Sequence, residues 1–278
     1  MNRDRHKRPL TSYLVHIVYA MICVAMLVGV MGMLRPDDPS NKIGSDPGAS
    51  TQIQEGHDTH SNDRPQSGTP SDGYEPTSWD PVVSPDIYKV HGEAIISEND
   101  LAPGDVRYHY NTDTKTQSVH ALLTYDNIEY GKRERESISH IDPVGWPEDN
   151  ERANVTFPDG KTYNGWFWNR SHLLGHALGG EDEEKNLMTG TRAQNVGTND
   201  MHGGMQYAET LARDYLESNR DGQVYYIVRP VYLDGENIPR SVFVDMRSDD
   251  GSIDMHLEVY NVMPGYDIDY ETGRFAKR

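Results

Sequence analysis

Cysteine is almost absent from this chain of 278 residues, which contains only Cys23. A single thiol allows neither a disulfide within the chain nor a cysteine-based zinc cluster. Cations are also scarce, because 26 Lys and Arg residues face 44 Asp and Glu residues, and the formal net charge is −18. A broad basic surface for tight binding of nucleic acid is therefore not expected. Any contact with phosphate must rely on a local cluster of Lys and Arg.

One long hydrophobic run lies near the start of the chain. Residues 13–34 contain no Asp, Glu, Lys or Arg, and residues 1–12 carry Arg3, Arg5, Lys7 and Arg8. A helix needs about 20 apolar residues to span a bilayer, and basic flanks remain in the cytoplasm. We predict a cytoplasmic basic tail at 1–12 and a transmembrane signal anchor at 13–34, which would hold an extracellular C-terminal domain at the cell membrane. Secretion after signal cleavage is the alternative, although the run is long for a signal peptide.

The composition changes after the hydrophobic run. Residues 35–85 are dominated by Pro, Gly, Ser, Asp, Thr and Gln, as in PDDPSNKIGSDPGAS. Such a segment has too few apolar side chains to offset the entropy lost on ordering. We therefore predict a disordered linker at 35–85 and a folded domain at 86–278.

The folded domain shows the periodicities of a mixed α and β structure. Apolar residues alternate in residues 241–246 and 253–259, which is typical of half-buried antiparallel strands. Residues 119–125 and 224–233 are also predicted strands, and Pro230 favours an edge position or a bulge. A helical face is formed by Met205, Ala208, Leu211, Ala212, Tyr215 and Leu216. The prediction is an α+β domain with a central antiparallel β-sheet.

The segment from Trp166 to Glu209 concentrates side chains capable of chemistry. It contains His172, His176 and His202, together with the carboxamides Asn169, Asn186, Gln194, Asn195 and Asn199. Carboxamide oxygens are hard ligands that suit Mg²⁺ or Ca²⁺ better than Zn²⁺. The segment therefore indicates a hard divalent cation near one or more imidazoles.

The order of these residues resembles the DNA/RNA non-specific endonuclease family. The resemblance rests on Asn-Arg-Ser-His at 169–172, then Asn186, Asn195 within Gln-Asn, and Glu209. The family includes secreted streptococcal DNases and a membrane-anchored competence nuclease. Its motif is usually Asp-Arg-Gly-His, so the chain departs from it at Asn169 and Ser171. The resemblance covers roughly Leu123 to the C-terminus and implies a ββα-metal catalytic element.

The resemblance implies a role for each catalytic residue. His172 would be the general base that takes a proton from the attacking water, and Asn195 would be the direct protein ligand of a Mg²⁺. Glu209 would hold metal-bound waters, Arg213 would contact phosphate, and Arg170 would support the site through hydrogen bonds.

The remaining assignments are supporting ones. Asn186 and Asn169 are further candidates for the metal site, and Asn186 would also support the site by hydrogen bonding. Lys132, Arg133 and Arg192 are candidates for binding substrate. Lys132 and Arg133 form a dense basic run with Arg135, and this run is expected to line the phosphate groove together with Arg170, Arg192 and Arg213. The acidic run at 181–184 is predicted to be a solvated loop. A serine at 171 would be strained if that position required a positive φ.

The predicted function is an extracellular, metal-dependent endonuclease that hydrolyses phosphodiester bonds of DNA and RNA without base readout. Mg²⁺ is the expected cofactor, with Mn²⁺ as a substitute. One alternative is a catalytically degenerate member that binds nucleic acid or a wall component. A zinc hydrolase is the other, because His172 and His176 are four residues apart. That alternative is weaker because Leu173 occupies the position of the catalytic Glu in the His-Glu-x-x-His motif.

Overall fold

The computed structural model describes residues 74–96, 100–111, 115–133 and 135–278. The predicted basic tail, the predicted anchor and most of the predicted linker lie outside these ranges. Within them, no helix combines the length and apolar character needed to cross a bilayer.

The described residues form twelve strands and three α-helices. The strands are β1 (Tyr88–Gly92), β2 (Val106–Tyr110), β3 (Thr116–Leu123), β4 (Arg152–Thr156), β5 (Thr162–Trp166), β6 (Trp168–His172), β7 (Leu187–Thr191), β8 (Val224–Val231), β9 (Ser241–Ser248), β10 (Asp254–Tyr260), β11 (Tyr266–Ile268) and β12 (Phe275–Lys277). The helices are α1 (Tyr125–Gly131), α2 (Arg192–Val196) and α3 (Met205–Ser218).

A six-stranded antiparallel sheet forms the centre of the fold, in the order β1-β10-β9-β8-β3-β2. The predicted strands therefore pair as expected, and the α+β class is confirmed. Pro230 lies in β8, which has neighbours on both sides. However, β3 pairs with β8 only as far as Val228, so the proline, which has no N–H to donate, lies where that ladder has ended.

One face of the sheet packs against α3. Alternate residues of the strands point to this face and form the main core with Met205, Ala208, Ala212 and Leu216 of the helix. These four positions follow the helical spacing seen in the sequence, and the small alanines allow the helix to approach the sheet closely. The helix therefore carries Glu209, the neighbour of Ala208, along the edge of a rigid core.

The opposite face of the sheet is covered by the described N-terminal segment. Thr77 donates from its N and its Oγ1 to the carboxylate of Glu258, at 2.8 and 2.7 Å. Tyr74 donates its hydroxyl to Asp245 Oδ2 at 2.8 Å. Residues 74–85 are thus part of the folded domain, and the prediction that the linker extends to Pro85 is wrong for this part. Composition could not reveal it, because polar bonds to buried carboxylates hold the segment in place.

A second, largely aromatic core lies beside the sheet and supports β6. Phe167 stacks on Phe275 with ring centroids 3.7 Å apart, and Trp168 donates its Nε1 to the carbonyl of Gly273 at 2.9 Å. Both contacts anchor the start of β6, which carries the residues of the candidate site.

Candidate active site

A β-hairpin and a short helix carry several of the predicted site residues, including Arg170, His172 and Asn195. Strand β6 pairs with β7 in register from Trp168 opposite Thr191 to His172 opposite Leu187. Helix α2 follows immediately, and the Thr191 side chain caps it by accepting a hydrogen bond from the N of Gln194. The hairpin and helix have the order of a ββα element.

His172 ends β6 with both ring nitrogens engaged. Its Nε2 lies 2.9 Å from Asp182 Oδ1, and its Nδ1 lies 3.3 Å from a guanidinium nitrogen of Arg135. A guanidinium can only donate, so Nδ1 must accept. The ring proton of the neutral imidazole is therefore on Nε2, where it donates to Asp182.

The imidazole is held neutral by its surroundings. Burial and then the positive charge of Arg135 lower the pKa of His172 from the usual 6.5 to about 4, although Asp182 acts in the opposite direction. Desolvation wins because the residue is only 6% exposed. At neutral pH the imidazole is therefore uncharged, and Nδ1 keeps a lone pair that can accept a hydrogen bond.

Asp182 was not among the predicted site residues. Its side chain is 7% exposed, and its carboxylate meets His172, His176 at 3.3 Å, Arg135 at 3.5 Å and the backbone N of Glu136 at 3.0 Å. The prediction of a solvated loop at 181–184 is therefore wrong for this position. Nothing in the acidic run separates Asp182 from its neighbours, and only the fold brings it back to the end of β6.

An open cleft of about 710 Å³ runs beside the ββα element. Its lining includes Arg135, Trp146, Trp166, Asn169, Arg170 and Asn195. Arg135 therefore lines the cleft and also contacts His172, which does not line it.

Asn195 is oriented by one of the two residues that depart from the family motif. Ser171 Oγ donates to Asn195 Oδ1 at 3.2 Å. Ser171 is not among the described non-glycine residues with a positive φ, so the expected strain at this position is absent. The serine hydroxyl instead fixes the carboxamide of Asn195 at the cleft.

Glu209 is a half-buried carboxylate that lies against Gly175. A Cβ at position 175 would come within 2.5 Å of the carboxyl carbon of Glu209, so the close approach requires glycine. Burial raises the pKa of Glu209 to about 7, against the opposing charges of Arg135 and Arg213. Among the described residues, no side chain or backbone N–H forms a hydrogen bond or ion pair with it.

The donor set fits a hard divalent cation. Asn195 and Asn169 offer carboxamide oxygens at the cleft, and a nearby cation would favour the ionised form of Glu209, whose pKa is raised by burial. No group of three or more His, Cys, Asp or Glu side chains is assembled for a metal within the described ranges. The fit therefore favours an oxygen-ligated ion that keeps much of its water over a structural zinc.

Asn186 does not fit the metal role. It is fully buried, its Oδ1 accepts from Leu174 N at 2.9 Å, and its Nδ2 donates to the carbonyls of Leu174 and Glu181. The prediction that it belongs to the metal site is wrong, because its carboxamide is used to tie the loop between β6 and β7. Its predicted supporting role through hydrogen bonds is observed.

The two arginines predicted to be catalytic, Arg170 and Arg213, differ in their relation to the cleft. Arg170 lines the cleft, where it donates to Asp142 and the carbonyl of Ile141 and lies 4.1 Å from the Trp146 ring centroid. Arg213 instead pairs with the adjacent Asp214 at 2.9 Å and reaches the site through its charge on Glu209.

None of the three predicted substrate-binding cations lines the cleft. Lys132 pairs with Glu129 at 2.7 Å, Arg133 lies over the ring of Tyr130, and Arg192 lies over the ring of Tyr163. Of the three neighbouring cations Lys132, Arg133 and Arg135 that were expected to line the groove, only Arg135 lines this cleft.

His172 and His176 do not share a helix. His172 ends a strand, whereas His176 opens a single 3₁₀ turn, His176–Leu178. The helical geometry of a His-x-x-x-His zinc site is therefore absent here.

Comparison with known proteins agrees with this geometry. The family model of the DNA/RNA non-specific endonuclease matches residues 99–250. A deoxyribonuclease of Streptococcus dysgalactiae subsp. equisimilis is 32% identical over 215 residues, which are 67% of this chain and 64% of that protein. The matched part thus spans less than two thirds of the relative.

Two solved structures share the fold. The Sda1 nuclease with a bound zinc ion superposes with a TM-score of 0.66 at 28% identity, covering 72% of this chain and all of that one. NucA from Streptococcus agalactiae with a bound magnesium ion gives 0.58 at 18% identity, covering 74% and 91%. Since the family model covers more than half of the chain, including the whole ββα element, the protein belongs to the DNA/RNA non-specific endonuclease family.

Proposed function

We propose that this protein is a metal-dependent endonuclease that hydrolyses phosphodiester bonds of DNA and RNA without reading bases. The observation that carries the proposal is the neutral imidazole of His172. Its one acceptor nitrogen faces Arg135 of the cleft, and its other nitrogen donates to Asp182. A base of this kind, next to arginines and carboxamides, suits attack of water on a phosphodiester.

The first step is an exchange of partners at Arg135. Its guanidinium donates to His172 Nδ1 in the absence of substrate. A phosphate in the cleft is a stronger, charged acceptor for the same guanidinium, in a geometry that arginine favours. Binding of substrate would therefore free Nδ1 to accept a hydrogen bond from water.

Proton transfer then follows from the orientation of the imidazole. Nδ1 takes a proton from water while the water oxygen bonds to phosphorus. The bond from phosphorus to the 3′ oxygen breaks, the leaving oxygen takes a proton from a solvent water to become the 3′-hydroxyl, and the product keeps a 5′-phosphate. Asp182 holds the Nε2 proton and stabilises the imidazolium through its negative charge, as a carboxylate does in a catalytic triad.

Asn195 would be the direct protein ligand of the cation, with Glu209 and Asn169 supporting it. When bound, a Mg²⁺ ion offsets negative charge on the phosphoryl and leaving oxygens, and Mn²⁺ can replace it. Neighbouring folds hold magnesium in NucA and zinc in Sda1, which supports a divalent metal without fixing its identity.

We place this activity outside the cell. The support is in the sequence, where the uncharged run at 13–34 follows four cations. The domain would act at the membrane surface, or in the medium if the N-terminal segment is cleaved.

The test is degradation of plasmid DNA and of RNA by the full-length chain, with Mg²⁺, Mn²⁺ or Zn²⁺ and with EDTA. We expect cleavage with Mg²⁺ and none with EDTA. His172→Ala should lower kcat about 10²- to 10⁴-fold, the usual contribution of a general base. His202→Ala is the matched control, since that histidine is exposed and outside the cleft.

A wild-type chain that binds nucleic acid but does not cut it would favour the degenerate alternative. Asn169 in place of the usual acid and the negative net charge are the observations behind that alternative. Activity with zinc alone would instead support the zinc hydrolase.

A further inference from the structure

An exposed indole lies at the rim of the cleft. Trp166 ends β5 and is 53% exposed, yet it lines the same cleft as Asn169 and Asn195. Single exposed apolar residues are common on protein surfaces and need no explanation by themselves. Trp166 does need an explanation, because it lines the cleft together with the candidate metal ligands.

The hairpin holds Trp166 in place through its backbone. The hydroxyl of Tyr163 donates to the carbonyl of Trp166 at 2.9 Å. The Tyr163 ring lies over Gly165, where a Cβ would come within 2.2 Å of the Tyr163 hydroxyl. The main chain on both sides of the indole is therefore fixed, while much of the ring stays in solvent. A rigid, exposed aromatic ring loses little entropy when a flat ligand stacks on it.

Two arginines without carboxylate partners lie at this hairpin, one beside the Trp166 ring and the other beside the Tyr163 ring. Arg152 is the cross-strand neighbour of Trp166, with its guanidinium 5.7 Å from the ring centroid, and Arg192 lies 5.3 Å from the Tyr163 ring centroid. In the part of the chain that the structure describes, neither forms an ion pair. By contrast, Lys161 on the same hairpin pairs with Asp159 and Asp200. Glu136 and Glu148 line the same cleft and carry the opposite charge.

We propose that Trp166 is a stacking platform for an unpaired base next to the scissile phosphate, with Arg152 and Arg192 binding the neighbouring backbone phosphates. This inference rests on the proposed function. An exposed indole beside cations that form no ion pair is the combination that binds single-stranded nucleic acid irrespective of sequence. In a duplex the base faces are covered by their neighbours, so the platform selects single-stranded or locally opened substrate.

The test is binding of full-length protein in EDTA, so that no cleavage occurs, to a labelled oligonucleotide of about a dozen nucleotides. Fluorescence anisotropy gives Kd for the single strand and for a duplex of the same length. We expect Trp166→Ala to raise Kd for the single strand about 5- to 150-fold and to leave the duplex almost unchanged. Trp166→Phe should recover much of the loss, because it keeps an aromatic face.

Tyr110→Ala is the matched control, since this residue is equally exposed on β2 and does not line the cleft. An oligonucleotide with abasic sites provides a second arm, in which the wild type and Trp166→Ala should bind alike. Unchanged binding of the single strand by Trp166→Ala would overturn the proposal, as would equal losses for single strand and duplex. So would a wild type that binds neither.

Plasmid cleavage in Mg²⁺ separates this proposal from the preceding one. A variant that cuts plasmid but has lost its preference for single strands supports both. If the wild type prefers single strands in a Trp166-dependent way but does not cut plasmid, the stacking proposal is supported and the proposed nuclease activity is contradicted.

Discussion

Carboxylates on the outer face of the sheet and at the candidate site differ in the number of hydrogen-bond donors that they meet. On the outer face of the sheet, Glu258 is inaccessible to solvent and accepts from Thr77 twice and from His91 at 2.9 Å. Asp245 beside it is equally inaccessible and is also saturated with donors, including Tyr74. At the active site, Glu209 has no such donor within the described ranges.

This difference separates a structural use of buried charge from a functional one. Saturated carboxylates cost little to bury, and here they join residues 74–96 to the sheet. A carboxylate that burial desolvates and that has no donors is less stable in its charged form, so its pKa is raised, and a bound cation would compensate the charge. Asp182 is intermediate, because its partners His172, His176 and Arg135 are themselves titratable or charged groups of the site.

The largest effect is expected at Asp182. Asp182→Asn preserves size and leaves an oxygen to accept the Nε2 proton of His172, but it removes the charge that stabilises the imidazolium. We expect kcat to fall by about 10²-fold or more, with a smaller change in KM. Steady-state kinetics on plasmid or oligonucleotide substrate, with thermal unfolding as a check on folding, measures this.

Glu183→Gln is the matched control, because it makes the same change on an exposed side chain one residue away. A kcat within about twofold of wild type for Asp182→Asn would show that Asp182 belongs with the structural carboxylates.

Periodic patterns predicted the frame of the site, and the resemblance predicted its central residues. The spacing of Met205, Ala208, Ala212 and Leu216 placed α3, because burial on a core repeats with the helical period. The motif around His172 placed the ββα element. Both patterns involve residues that are close in sequence, so they can be recognised without knowledge of the fold.

The remaining parts of the site depend on contacts between distant segments. Asp182 and Arg135 meet His172 from two loops, and neither differs in pattern from its charged neighbours. Lys132 and Arg133 looked as suitable as Arg135, but the loop after α1 directs them to Glu129 and Tyr130. Only tertiary structure decides which member of a charged run reaches a cleft.

A second prediction concerns Glu258, one of the buried carboxylates that accept several hydrogen bonds. Glu258→Gln places an amide NH₂ against donors from Thr77 or His91, so at least one buried hydrogen bond is lost. We expect the free energy of unfolding to drop by about 1–3 kcal/mol, with kcat unchanged below the unfolding transition. Urea unfolding compared with Glu93→Gln, an exposed glutamate of the same segment, measures it. A large loss of kcat with unchanged stability would show that this carboxylate is not purely structural.

The last prediction concerns the pH dependence of stability at Glu209. Its pKa is about 7 in the folded protein and near 4.5 for an ordinary glutamate. Between these values the folded chain retains a proton that the unfolded chain has released, so stability falls as pH rises from about 4.5 to about 7. His172 acts in the opposite direction, because its pKa is lowered to about 4 and stability falls as pH decreases below about 6.5.

Glu209→Gln separates the two contributions, since glutamine does not titrate and His172 remains in both proteins. In EDTA, we expect the melting temperature of the variant to exceed that of the wild type increasingly as pH rises to about 7, and the gap to stay constant above it. Mg²⁺ should close the gap by stabilising the wild type more than the variant, because only the wild type presents an unpaired carboxylate to the cation. Parallel melting curves at all pH values, with equal gains from Mg²⁺, would mean that Glu209 is compensated in the free protein and that the contrast with Asp245 and Glu258 does not exist in solution.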